Sequence, residues 1–136
     1  MPTADTNVIL RWMLDDVPDL TETAGQVLTQ FPRCVVPDVA LVETVCVLER
    51  VMNLPRSTVV LLVEALLAQA NIDADRETWA EAMAAYQSHP KLSIADTFLA
   101  ALSRRTGRVP LFTFDQRLAT QLPAAKLPQQ SSPTLP

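Results

Sequence analysis

Strand-length apolar runs alternate with helical patterns along this chain, and that alternation restricts the possible folds more than any other feature of the sequence. Ala4 and its neighbours form a minimal strand, Arg33-Cys34-Val35-Val36 a buried one stopped by Pro37, Asn71-Ile72-Asp73 a third, and residues 110–113 a fourth. Helices are expected between them over 8–14, 20–31, 39–52, 57–67, 76–86, 94–106 and 115–121, with Ser57 as an N-cap and Gly107 in the C-terminal capping position. Strands separated by helices pair in parallel through right-handed crossovers, so the fold class is α/β, a sheet covered by helices on both faces. Ligands of such sheets bind beyond the carboxyl ends of the strands.

The 136 residues suit one ordinary domain, expected over 1–122. Residues 123–136, with Pro128-Gln129-Gln130-Ser131-Ser132-Pro133, read as a disordered polar tail. A net charge of −4 advertises no general basic field, so any nucleic-acid contact must be local. Cys34 and Cys46 have neither CxxC spacing nor a histidine cluster beside them and read as small core residues. Asp5 and then Asp15-Asp16 break any signal-like start, and the apolar stretch 59–70 contains Glu64 and is too short for a bilayer. The expected location is the cytoplasm, with no membrane partner.

Four carboxylates stand out against this background. Asp5, Asp96 and Asp115 fall where a short strand ends or a helix begins, and Glu43 lies in a helix whose other residues are nearly all apolar. Each has an ordinary explanation. Asp5 can initiate a turn through the amide of Asn7, Asp96 and Asp115 can serve helix N-termini, and Glu43 can pair with Arg50, two turns on. On its helix Glu43 is expected in a narrow polar sector left by Leu41, Val45, Val47, Leu48, Val51 and Met52. Asp96 is expected at the border of an apolar face made of Ala95, Phe98, Leu99 and Leu102.

Taken together, four separate coincidences explain less than one divalent-cation site. An uncompensated carboxylate is expensive away from water, and a hard cation removes that cost while activating water against a phosphate ester. His89, the only histidine, sits in a loop and reads as a surface residue rather than a general base.

At these residues the chain resembles the PIN-domain family, in particular the VapC-type ribonuclease toxins of type II toxin–antitoxin pairs. The resemblance rests on Asp5-Thr6-Asn7 after the first strand, Ala40-Leu41-Val42-Glu43-Thr44-Val45, Ala95-Asp96-Thr97-Phe98-Leu99-Ala100-Ala101-Leu102 and Thr113-Phe114-Asp115, in an order covering the chain to about Leu122. It implies a PIN-like three-layer α/β/α sandwich with a short parallel sheet of four to five strands. It also implies an endoribonuclease in which Asp5, Glu43, Asp96 and Asp115 hold Mg²⁺ or Mn²⁺, with Thr113 and Asn7 lining the site. A homodimer and a cognate antitoxin come with the resemblance. The segment after Leu122, where the family adds a last strand, is Pro-rich here, and only Lys126-Leu127 hints at one.

RNA requires positive charge near the acids, and Arg11 and Arg117 are the preferred candidates because each is close in sequence to a carboxylate. Arg104, Arg105 and Arg108 read as solvated helix surface, residues 59–67 as core, and Trp12 as either core or partner surface. Two other functions compete with a metal-dependent ribonuclease. One is a non-catalytic PIN-like module that binds RNA or protein and keeps its carboxylates for structure. The other is a small-molecule phosphohydrolase using Asp5 as nucleophile, against which stands Asn7, where that chemistry needs a second acid.

Overall fold

The computed structural model describes residues 1–14 and 18–129. Asp15, Asp16 and the end of the expected tail, residues 130–136, lie outside the described residues. Contacts divide the chain into two compact units, Met1–Glu77 and Thr78–Pro136.

The first unit contains α1 (Thr6–Leu14), α2 (Pro18–Gln30), β1 (Cys34–Val35), α3 (Asp38–Cys46) with a π-helical turn at Val47–Val51, α4 (Arg56–Leu67) and β2 (Ile72–Asp73). β1 and β2 pair in parallel, Cys34 opposite Ile72 and Val35 opposite Asp73. Val35 also donates to Pro2 O and accepts from Ala4 N, both at 2.8 Å, so residues 2–4 run parallel to β1 on its other side through a single bridge at Thr3. Side chains from every element bury here, among them Ile9, Leu28, Cys34, Leu41, Leu48, Val63, Leu66 and Ile72. Asn71 closes α2 by donating its side-chain amide to Leu28 O and Phe31 O. Arg76 does the same for α4, reaching Leu67 O and Gln69 O, where a cation also complements the helix dipole.

The second unit takes over in the first turn of α5 (Arg76–Ser88) and continues with α6 (Ile94–Arg105), β3 (Leu111–Phe112), α7 (Gln116–Gln121) and β4 (Ala125–Lys126). Trp79 and Phe98 stack with ring centroids 4.6 Å apart. Leu92, Leu118 and Ala125 form a second cluster, closed by Leu111 and Leu122. α6 ends in a Schellman motif: Gly107 at φ 69° lets its own N–H reach Arg104 O and the Arg108 N–H reach Ser103 O.

Four expectations change. The central sheet of four to five strands is absent among the described residues, which form two separate two-stranded parallel pairs and the Thr3 bridge. Proline explains the shortness, because Pro32 and Pro37 bracket β1, Pro110 precedes β3, and Pro123 and Pro128 flank β4, each removing a ladder donor. The segment expected to begin the tail does form a strand, Ala125–Lys126, which pairs in parallel with β3.

The helix expected over 39–52 stays α-helical only to Cys46. The π-helical turn, in which Met52 N bonds Val47 O, rotates the residues beyond it, so Val51 is 69% exposed where an unbroken helix would bury it. Asn53 then ends the element at φ 54°. Pro55 rather than Ser57 occupies the N-cap of α4.

Candidate functional site

Asp5 is the N-cap of α1. Its backbone carbonyl accepts the first helical bond, from Ile9 N, and its Oδ1 accepts the N–H of Val8 at 3.0 Å. The turn contact expected at Asn7 is therefore one residue further on, at the third helical position. Thr6, the first helical residue, aims its hydroxyl across to α3 and donates to Glu43 Oε2 at 3.2 Å. It also lies 3.5 Å from Ala40 O, which keeps the hydroxyl over the α3 turn carrying Glu43.

The first unit thus brings the Asp5 end of α1 and Glu43 together through one hydroxyl. Glu43 makes no pair with Arg50; among the described residues the ion pair near the π-helical turn is Glu49 with Arg56, at 2.9 Å. A groove of about 390 Å³ between α1 and α2 is lined by Asn7, Val8, Arg11, Thr23, Ala24 and Val27. Asn7 and Arg11 therefore share one surface, one turn apart on α1.

In the second unit Ser93, not Asp96, caps α6. The serine hydroxyl accepts the Asp96 N–H at 3.2 Å, and Asp96 occupies the third helical position. The buried face of α6 runs through Ile94, Thr97, Phe98 and Ala101, at spacings of three and four, with Ala100 and Ser103 beside it. The expected face through Ala95 and Leu99 is wrong: Leu99 is 46% exposed. Selecting the larger aliphatic residues missed a stripe of threonine and alanines. Asp96 is half-buried and heads the row of Ala100 and Ser103, so it leaves the helix at the border of the packed face, as expected.

Asp115 is the N-cap of α7 and accepts two amides on Oδ1, from Arg117 at 2.9 Å and Leu118 at 3.2 Å. Thr113 Oγ1 accepts the Asp115 N–H at 2.9 Å, which fixes the turn from β3 into α7. The Thr113-Phe114-Asp115 motif is thus a pair of consecutive caps.

Asp5, Glu43 and Asp115 are exposed. The premise that all four acids are withdrawn from water is corrected, and their desolvation is not what calls for a ligand. Ordinary roles account for one oxygen of Asp5 and one of Asp115. They do not account for Asp96, whose helix is capped by another residue, or for Glu43, which lacks the expected pairing with Arg50. Thr6 and Ser93 were missed as supports of the site, although each is a hydroxyl within three residues of an acid at a helix start.

The donors around these positions are carboxylate and hydroxyl oxygens, a chemistry that fits a hard divalent cation. Among the described residues no group of three or more His, Cys, Asp or Glu side chains is gathered to hold one. Burial pushes the Cys34 thiol up, partly opposed by a bond from the Ala4 backbone, so Cys34 is a poor nucleophile. His89 Nδ1 lies 3.0 Å from Ala85 O and 3.0 Å from Ser88 Oγ, contacts that tie it to the end of α5.

A family model for the PIN domain matches residues 3–121. The chain belongs to the PIN-domain family. PIN domains are generally nucleases of RNA or DNA and typically bind divalent metals, so membership supports a nuclease-type, hydrolytic function for this PIN domain. The match spans all four acids, Asp5, Glu43, Asp96 and Asp115. No curated protein matches the chain. No helix among the described residues of this PIN domain is long and apolar enough to cross a membrane.

Proposed function

We propose that this PIN domain is a Mg²⁺- or Mn²⁺-dependent endoribonuclease, with Asp5, Glu43, Asp96 and Asp115 as the carboxylates that hold the cation. The observation that supports the reading is the Thr6 hydroxyl bond to Glu43, which ties the residue next to Asp5, the first acid of the family pattern, to the second. When bound, the cation supplies charge neutralisation at the phosphate and makes a nearby water more acidic.

The protein's own groups do the positioning. Asp5 and Asp115 each commit Oδ1 to backbone amides and keep Oδ2 for a ligand. The helix dipoles at the starts of α1 and α6 favour negative charge there, which lowers the cost of holding carboxylates at those positions. Asn7 and Arg11 offer an amide and a cation along one groove, and Arg117 lies two residues past Asp115 on α7.

The same proposal extends to a cytoplasmic toxin restrained by a cognate antitoxin and acting as a homodimer, with residues 1–122 as the nuclease domain and the remainder as an appended tail. Incubation of a structured RNA with the protein and Mn²⁺ should yield cleavage that EDTA abolishes and that Asp96→Asn lowers at least a hundredfold. Absence of cleavage, together with no heat of Mn²⁺ binding, would sink the reading.

A second reading, a non-catalytic module, is favoured by one observation: Asp5 and Asp115 already have structural work as caps. Under that reading RNA binding survives EDTA, and Asp5→Ala and Asp115→Ala lower the unfolding temperature without any activity to lose.

A further inference from the structure

The acidic balance of the whole chain hides two opposite halves. Met1–Glu77 carries twelve Asp and Glu against five Lys and Arg, whereas Thr78–Pro136 carries six Lys and Arg against three Asp and Glu. Charge asymmetry of this kind points to a polyanion on the basic half. In the second unit Arg104 is already taken by Glu81, with Nε at 2.8 and 2.9 Å from the two carboxylate oxygens, but Arg108, Arg117 and Lys126 are exposed around β3 and β4.

β3 and the turn that follows it carry the most exposed aromatics of the chain. Phe112 is 62% exposed and Phe114 88%. Alternation explains their direction: Leu111 and Ala125 turn inward onto Leu92 and Leu118, so Phe112 and its cross-strand neighbour Lys126 turn outward. Thr113 N bonds Lys126 O at 3.0 Å one residue beyond β3, and Phe114 follows at a bend with its ring in solvent. Phe112, Lys126, Pro128 and Gln129 line an open groove of about 420 Å³. Two phenyl rings kept in water, one of them paired across the strands with a lysine and both within five residues of Arg117 in sequence, suit a base-stacking platform better than a dry protein interface.

We infer that the outer face of β3 and β4 binds unpaired RNA, with Phe112 and Phe114 stacking on successive bases and Lys126 and Arg117 meeting the phosphates. The inference deepens the ribonuclease reading and rests on it for treating the bound strand as substrate. It restricts the substrate to single-stranded segments, since a paired base offers no free face to a phenyl ring.

The test is anisotropy of a fluorescent single-stranded 12-mer RNA, and of the same sequence as a duplex, measured in EDTA so that cleavage plays no part. The full chain should prefer the single strand. Phe112→Ala and Phe114→Ala should each weaken single-strand binding roughly tenfold, and Phe114→Trp should retain it while Phe114→Leu, apolar without a π face, should not. Lys126→Gln should reduce the slope of log affinity against log salt by about 0.7. Both phenylalanines are exposed, so the unfolding temperatures should match wild type.

Equal binding by wild type and the Phe112→Ala/Phe114→Ala double variant would overturn the inference. So would full affinity in Phe114→Leu, or a double variant altered only in sedimentation, which would make the face an interface between copies. Binding through the platform without cleavage in Mn²⁺ would remove the catalytic proposal and leave the platform standing. Cleavage with unchanged kcat/KM in the double variant would do the reverse.

Discussion

Asp115 separates structural from chemical duty more sharply than any other residue here. Its Oδ1 accepts two amides at the start of a six-residue helix, and a helix that short has no stability of its own. What keeps α7 in place is this cap at one end and Leu118, 2% exposed against Leu92 and Ala125, in the middle. Asp115→Ala removes the acceptor for both amides and should cost about 1–2 kcal/mol.

For a chain of 136 residues that corresponds to a fall in unfolding temperature of about 3–7 °C. Asp115→Asn keeps a carbonyl oxygen in the same place and loses only the charge facing the helix terminus, about 0.3–1 kcal/mol at an exposed site. The asparagine variant should therefore unfold within about 1–3 °C of wild type.

In an Mn²⁺-dependent RNA cleavage assay, however, the two variants should be equally poor, because both lack the carboxylate. Circular dichroism melts and cleavage rates on the same preparations decide the matter. An asparagine variant as unstable as the alanine one would show that the cap does not anchor α7, and an asparagine variant that cleaves at the wild-type rate would remove Asp115 from the cation site.

Three further outcomes are expected. Thr6→Val should raise the Mn²⁺ concentration for half-maximal cleavage several-fold while Thr6→Ser restores it, since it is the hydroxyl of Thr6 that bonds Glu43; identical metal dependence in all three proteins would refute that role. The Arg104 guanidinium, chiefly by its hydrogen bond, holds the Glu81 carboxyl below its usual value. A depressed folded pKa stabilises above the unfolded value of about 4.3 and is lost as pH falls through the folded one, so Glu81→Gln should cost less than about 1 kcal/mol at pH 7 and progressively less as the pH is lowered below the unfolded value in urea titrations. Gly107→Ala meets open space but must adopt φ 69°, and should lower stability by about 1 kcal/mol in the same titration; a neutral result would contradict the strained backbone.

Much of the element order was legible in the sequence because helix punctuation is local. Gly107, Asn53 and the prolines do their work within a few residues, and the chain obeys them. The sheet was not legible, since strand length depends on which backbone donors survive next to Pro32, Pro37 and Pro110. The face of α6 was misread because Thr97 and Ala101 outrank Leu99 in burial, a choice made by neighbours in space rather than by side-chain size. At the candidate site, the acids were visible as residues out of place, but their partners were not: Thr6 reaching Glu43 spans 37 positions, a contact no spacing rule contains.

Strands of two residues have a consequence for how the molecule opens. β3 is tied to the β4 segment through Leu111 N to Ala124 O and Thr113 N to Lys126 O, with no long ladder to lose, while α6 buries six side chains over twelve residues. Amide exchange should therefore report a helical skeleton whose interior protons persist for the full lifetime of the native state, and strand protons that trade with solvent far sooner. The sheet in this protein is a registration device for its helix ends, and the helices are where its cooperativity resides.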